Sequence, residues 1–325
     1  MNKHRFWTGS AAFAGIFILI LDSKTALTGA QEGIRLCIQT VIPSLFPFFI
    51  LSNLLTGAWM GLDFPLLRPI GRLFGLPKGA ETLLIPAYLG GYPAGAQSVS
   101  SIFRSGQISQ KTAERLLAFC NNAGPAFLFG MVGQMFSDTG YVWALWGIHV
   151  AASWMVSLQF RCKEYSGVIL TAKPKGITHA VQTSLSVMAS VCAWVILFRV
   201  VIAFLNRWIL WLLPETLQVA VIGLVELSNG CCSLISIEST TVRFVLSSVL
   251  LSAGGICVTM QTASAAKGLS LKYYLIGKGL HILFSLILSL SAMYPPLLLL
   301  APWIFLPILI EKFRKNSRNS KAIGV

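Results

Sequence analysis

Apolar runs long enough to lie in a bilayer alternate with short polar segments along nearly the whole chain. About 20 apolar residues cross the hydrocarbon as a helix, so residues 6–21, 37–59, 116–136, 141–160, 181–205, 242–266 and 274–293 predict membrane spans. Residues 217–237 form an apolar run carrying Glu226, Asn229 and Gly230, and residues 296–310 form a last, shorter one. The second of these spans holds Pro43 and Pro47, each of which removes a helix hydrogen bond, so a bent or opened helix is expected, with Ser44 and Asn53 able to re-satisfy the freed groups. Residues 66–78 combine Arg68, Arg72 and Lys78 with Pro69 and Pro77, the pattern of a cytoplasmic interfacial segment.

Two places break the apolar pattern. Residues 79–103 are interrupted by Gly90, Gly91 and Pro93 and then carry Gln97, Ser98, Ser100 and Ser101, which predicts a re-entrant helical hairpin whose second helix starts after Pro93. The span at 116–136 is broken at Cys120-Asn121-Asn122-Ala123-Gly124-Pro125. An unpaired backbone group in hydrocarbon costs several kcal/mol, so broken backbone at that depth belongs where it lines a cavity or packs in protein. Between these breaks, residues 104–115 form a polar connector in which Ser109 caps the following helix.

Composition agrees with the pattern: of 325 residues 55% are hydrophobic and 11% charged, and the mean hydropathy is +0.73. Soluble domains carry about 25% charged residues, so this is membrane-protein composition and no soluble domain remains. The formal net charge of +14 sits mostly between apolar runs, as topology determinants and lipid-headgroup contacts do, and no basic and aromatic motif accompanies it, which argues against nucleic acid. The seven cysteines and four histidines show no metal-ligand or redox spacing, and no nucleophile-base set or P-loop appears, so no catalytic residues, metal or cofactor are expected.

The resulting organisation is an N-terminal transmembrane helix (1–33), a first repeat (34–161), a basic cytoplasmic loop (162–179), a second repeat (180–311) and a basic tail (312–325). The loop is assigned by the positive-inside rule from Arg161, Lys163, Lys173 and Lys175, and the N-terminal run is read as a retained helix because no small-x-small cleavage site follows it closely. The repeat rests on Gly90-Gly91 with Gln97-Ser98-Val99-Ser100 recurring at a constant offset of 164 as Gly254-Gly255 with Gln261-Thr262-Ala263-Ser264. An odd number of crossings in the first unit would invert the second. The fold class expected is therefore an all-α polytopic membrane protein with an inverted-topology repeat and re-entrant or broken helices, its substrate near the midplane. Carried through, this count leaves Lys267, Lys272, Lys278 and the tail on the outer side, against the charge bias; either residues 296–310 do not cross, or the hairpin near Gly254 does.

Two half-helix N-termini, after Pro93 and after Gly254-Gly255, would offer free N–H groups and positive dipole ends to a small planar or carboxylated solute. The candidate binding residues are Gly90, Gly91, Pro93, Gln97, Ser98, Asn121, Asn122, Glu226, Asn229, Gly254, Gly255, Gln261 and Thr262. For the hydroxyl residues the alternative is back-bonding to their own helices, and for Glu226 an interface position at a helix end. An intramembrane carboxyl is otherwise a functional residue, suited to proton coupling or to holding a cation.

Gly90-Gly91-Tyr92-Pro93-Ala94-Gly95-Ala96, the connector from Gly106 to Arg115, Phe119-Cys120-Asn121-Asn122-Ala123-Gly124-Pro125 and Glu226-Leu227-Ser228-Asn229-Gly230 together resemble the sporulation integral membrane proteins of the YlbJ/SpoVV type, grouped with the nucleoside-recognition Gate-domain proteins. The resemblance covers about residues 35–290 and departs from the pattern at Ala123-Gly124. It implies a multi-pass protein of the cell membrane or a forespore-associated membrane that transports or facilitates a small anionic or nucleoside-like solute, with dipicolinic acid during sporulation the solute associated with the family. The alternative is a non-transporting scaffold or assembly protein of the sporulation membrane. Expected partners are the solute and membrane lipids, with a homo-oligomer compatible and no nucleic acid.

Overall fold

The computed structural model describes residues 3–59, 62, 65–76, 80–161 and 176–296, and every regular element among them is helical. In chain order these are α1 (Lys3–Leu21), α2 (Ser23–Leu36), α3 (Ile42–Trp59), α4 (Arg68–Phe74), α5 (Ala94–Arg104), α6 (Gln110–Leu117), α7 (Pro125–Gly130), α8 (Thr139–Gln159), α9 (Ile177–Trp208), α10 (Glu215–Val225), α11 (Leu227–Ser233), α12 (Thr240–Ala253), α13 (Gly255–Ala265) and α14 (Lys272–Met293). Among the described residues, five stretches are long and apolar enough to cross a membrane: Ser23–Trp59, Thr139–Gln159, Ile177–Trp208, Thr240–Ala265 and Lys272–Met293. Most of the basic loop, the run at 297–310 and the tail at 312–325 lie outside the described residues.

The boundary drawn at residue 33 falls inside a continuous helical stretch. Asp22 ends α1 and caps α2, its carboxylate accepting the Thr25 N–H at 3.2 Å, and α2 then runs into α3 through a wide π turn at Cys37–Val41. That turn sits just before Pro43, where the regular ladder loses a donor, and Ser44 Oγ back-bonds to the Thr40 carbonyl of its own helix at 2.7 Å. Asn53 instead donates to Ser184 Oγ of α9 at 2.9 Å. α2 lies along α9 because Gly29 and Gly33 remove side chains there: a Cβ on Gly33 would stand 2.9 Å from the Ile196 Cα. Ion pairs Glu32–Arg199 and Asp22–Arg207 flank this seam.

Two pairs of elements fold back on themselves and two run on. The wide turn Pro86–Gly90 and α5 meet at Gly91-Tyr92-Pro93, where Gly91 takes φ 72° and the Tyr92-Pro93 peptide is cis. α10 and α11 meet at Glu226, in extended backbone, and lie back to back through Gly223 and Gly230. By contrast, α12 and α13 form a single stretch interrupted only at Gly254, which takes φ 72° and closes α12. α6 and α7 likewise flank the break at 118–124.

The residues around two cavities fix which ends lie together. Asn53, Thr56, Gln97, Arg104, His179 and Lys267 surround one cavity, so the C-terminal ends of α3, α5 and α13 lie with the start of α9. Asn206, Glu215, Ser233 and Ser236 surround another, at the far end of α9, and there Arg243 donates to the carbonyls of Ile237 and Met135. The chain therefore passes from the far end to the basic end between Ser236 and Lys267, straight through Gly254. Gly254 and Gly255 thus lie within this traverse, and Lys267 joins Arg104 at one end. The same glycine pair serves a turn in one place and a helix interruption in the other.

Candidate solute-binding site

The broken segments converge. Glycine permits each close approach: a Cβ on Gly91 would stand 3.0 Å from the Gly124 N, one on Gly255 2.9 Å from the Gly223 carbonyl oxygen, and one on Gly254 3.3 Å from the Tyr92 hydroxyl. Asn121 ties three elements together. Its Nδ2 donates to Thr262 Oγ1 of α13 at 2.8 Å, its Oδ1 accepts the Ala96 N–H of α5 at 3.3 Å, and its backbone carbonyl accepts from Lys278 of α14 at 3.0 Å. Asn122 donates to the Phe119 carbonyl at 2.6 Å and to Ser153 Oγ of α8 at 3.1 Å. Both buried amides thus donate to groups within the protein, which is what makes them tolerable there.

Glu226 is buried at the α10–α11 turn and caps α11. Its Oε1 accepts the Ser228 N–H at 3.0 Å, and its Oε2 accepts the Asn229 N–H at 2.7 Å and the Asn229 Nδ2 at 2.6 Å. The Glu-x-x-Asn spacing is what allows the carboxylate to reach both backbone donors and the amide. Both readings of this residue therefore meet in one place, a helix end that also faces a cavity. Glu226→Gln turns one acceptor oxygen into an NH2 facing an N–H donor. It should cost about 0.5–2 kcal/mol of the cap, read as a lowered unfolding midpoint in detergent, whereas Glu226→Asp keeps both acceptors and should lower it less.

Three cavities are strung along α9. Between Gln97, Ser98, Ser101, Arg104, Lys267 and the first turns of α9 lies one of about 690 Å³, with no carboxylate in its lining among the described residues. The next, about 30 Å³, is bounded by Gly90, Gly91, Gly124, Glu226, Gln261 and by Val191 and Val195 of α9, room for about one or two waters. The third, about 510 Å³, lies at the far end of α9 against Glu215, Gln218 and Ile222. Val187 faces the first cavity and Val191, one turn on, the second, so the large basic cavity stands directly above the small central one.

The thirteen candidate residues separate accordingly. Gly90, Gly91, Glu226 and Gln261 line the central cavity, and Gln97 and Ser98 line the basic one. Pro93, Asn121, Asn122, Asn229, Gly254, Gly255 and Thr262 line none of the three and hold the broken segments in place. Several hydroxyls back-bond to their own helices, among them Ser98 to the Ala94 carbonyl at 2.9 Å and Thr262 to that of Val258 at 2.7 Å. Sequence reasoning passed over Tyr92, Lys278, His149 and His281, all buried in this region. The signal for Lys278 lies in the sequence itself, an ammonium inside the apolar run 274–293.

Compared with known proteins, the chain is 35% identical over 123 residues to the sporulation integral membrane protein YlbJ of Bacillus subtilis (strain 168), a match covering 36% of this chain and 29% of that relative. The chain thus matches less than a third of the relative's length. No protein-family model matches, and no solved structure matches. Taken together, the helical architecture, the five candidate spans and this partial likeness describe a multi-pass membrane protein related to a sporulation membrane protein.

Proposed function

We propose that this chain is a membrane transporter or facilitator of a small anionic or nucleoside-like solute, working in the membrane of a sporulating cell. The supporting observation is the row of cavities along α9, two large and polar at its opposite ends and a nearly closed one between them at the broken segments. A solute moved along that row would meet backbone breaks and Glu226 at the narrowest point.

On this reading residues 80–104 and 215–233 are re-entrant hairpins entering from opposite faces, and 110–135 and 240–265 are broken spans. Together they form an inverted repeat in which Gly91 against Gly124 corresponds to Gly223 against Gly255. The pairing differs in register from the one the glycine motifs suggest. Charge favours an anion: Arg104 and Lys267 line the basic cavity, and no carboxylate lines it among the described residues. By the positive-inside rule that cavity faces the cytoplasm. The central cavity, at about 30 Å³, is too small for any organic solute, so the form described is the closed one and the hairpin tips must part to pass cargo.

Purified protein in liposomes should take up radiolabelled dipicolinate, a planar dicarboxylate, or uridine faster than empty liposomes, and unlabelled solute should compete. If neither enters through protein that is folded by size-exclusion chromatography, the non-transporting scaffold takes the place of this reading.

A further inference from the structure

The membrane-embedded region holds three basic side chains that no carboxylate neutralises. Lys278 of α14 is 6% exposed, and its ammonium donates to the Tyr92 hydroxyl at 2.7 Å and to the Asn121 carbonyl at 3.0 Å. It also lies over the Tyr92 ring at 4.5 Å and the Tyr274 ring at 5.6 Å. Gly277 lets α14 come this close, since a Cβ there would stand 2.4 Å from the Ala118 carbonyl oxygen. One turn further, His281 is hydrogen bonded through Nε2 to the backbone carbonyl of His149 on α8 at 3.0 Å, with the two rings 4.6 Å apart. His149 Nε2 accepts the Ala123 N–H at 3.2 Å, while its Nδ1 is buried with no partner among the described residues.

The groups around them decide what this cluster can do. α14 contributes Tyr274 beside His281 and Lys278, α8 contributes His149, and the 86–93 turn contributes Tyr92 and Tyr88, the latter bonded to Ser153. Cys120 faces from the break after α6, α13 offers Thr262 through Asn121, and α12 offers Ser248 and Ser252, which do not titrate in the accessible range. Glu226 lines the central cavity with Tyr92 but is engaged by Ser228 and Asn229. No described carboxylate forms an ion pair with Lys278 or either histidine.

An imidazole nitrogen that accepts an N–H cannot also carry a proton, so neutral His149 bears its hydrogen on Nδ1. Binding a second proton at Nε2 therefore breaks the bond from Ala123. Lys278 grips the same segment two residues earlier, at Asn121, and the segment's other end, Gly124, rests on Gly91 at the central cavity. Two buried bases from α8 and α14 thus hold the one stretch that closes the cavity from the side of the first hairpin.

We propose that His149 is the proton-binding site of this chain, with His281 positioning it and Lys278 holding the same segment at Asn121, and that a proton is the ion moved with the solute. This rests on the transporter reading and names its coupling ion. The proton comes from water on one face, occupies His149 Nε2 while Ala123 is released, and leaves to water on the other face when that bond re-forms; no other group changes its bonding.

The test uses the full chain in liposomes holding a trapped pH dye, dipicolinate as probe, and the membrane potential clamped with potassium and valinomycin. With the interior one pH unit more alkaline, one proton carried per solute should drive about tenfold accumulation, and dipicolinate addition should acidify the interior. His149→Gln keeps an oxygen for the Ala123 N–H but takes up no proton, so uptake through it should no longer respond to the pH gradient. Dipicolinate uptake by the unaltered protein that ignores the gradient and moves no protons overturns the proton site and leaves the transporter standing. Uptake of neither dipicolinate nor uridine overturns both. A His149→Gln protein that still accumulates dipicolinate tenfold removes His149 from the site.

Discussion

Gly95→Ala is expected to unfold the protein or to lower its unfolding midpoint sharply, out of proportion to the single methyl it adds. A Cβ at Gly95 would stand 1.7 Å from the Cys120 carbonyl oxygen and 2.8 Å from its carbon, and both are backbone atoms that no rotamer change can move. Overpacking usually costs about 1–3 kcal/mol because neighbours shift, but here the neighbour is the break that carries Asn121, whose bonds to Thr262, Ala96 and Lys278 would shift with it. Against a total stability of about 5–15 kcal/mol, a loss at or above about 3 kcal/mol is large. Gly230→Ala should behave alike, its Cβ falling 2.0 Å from the Gly223 Cα and forcing α11 off α10. Gly279→Ala is the control: nothing lies within 4 Å of its Cβ, and replacing a helical glycine there should leave the midpoint equal or slightly raised. Fluorescence-detected size-exclusion chromatography after a temperature series reads all three, and a Gly95→Ala protein as heat-resistant as the unaltered one would contradict the packing described.

The same contact explains how the two halves of the candidate site come to share one place. Gly95 brings α5 onto Cys120, Gly277 brings α14 onto Ala118, and Gly91 sits on Gly124. The break at 118–124 is therefore clamped from three sides, and its polar backbone is satisfied by groups from distant parts of the chain rather than by lipid.

Much of this architecture could be read from local chemistry. Runs of apolar residues gave α8, α9 and α14 to within a few residues, Ser109 caps α6 as its position suggests, and the breaks at Gly91-Tyr92-Pro93 and at Asn121-Asn122 lie where glycine, proline and amides interrupt hydrocarbon-compatible sequence. What local chemistry does not carry is direction. A glycine pair permits positive φ but leaves open whether the next helix turns back or runs on, and Gly254 runs on while Gly91 turns. The α10–α11 reversal depends on two glycines, Gly223 and Gly230, meeting across the turn, a pairing visible only once both helices exist. The role of Lys278 is hidden for a related reason: its partners, the Tyr92 hydroxyl and the Asn121 carbonyl, lie more than 150 positions away in sequence.

The central claim is that two polar cavities open to opposite faces of the membrane and are separated by a plug at Gly91 and Glu226. Sided labelling of single cysteines addresses it, with the seven native cysteines replaced by alanine and a membrane-impermeant maleimide applied to sealed vesicles of either orientation. Gln97→Cys and Ser264→Cys face the basic cavity, Gln218→Cys and Ser236→Cys face the one at the far end of α9, and Gln261→Cys faces the plug. The first pair should label only from the cytoplasmic face, the second only from the opposite face, and Gln261→Cys from neither in the absence of solute. Labelling of both pairs from one face, or free labelling of Gln261→Cys without solute, would contradict the account.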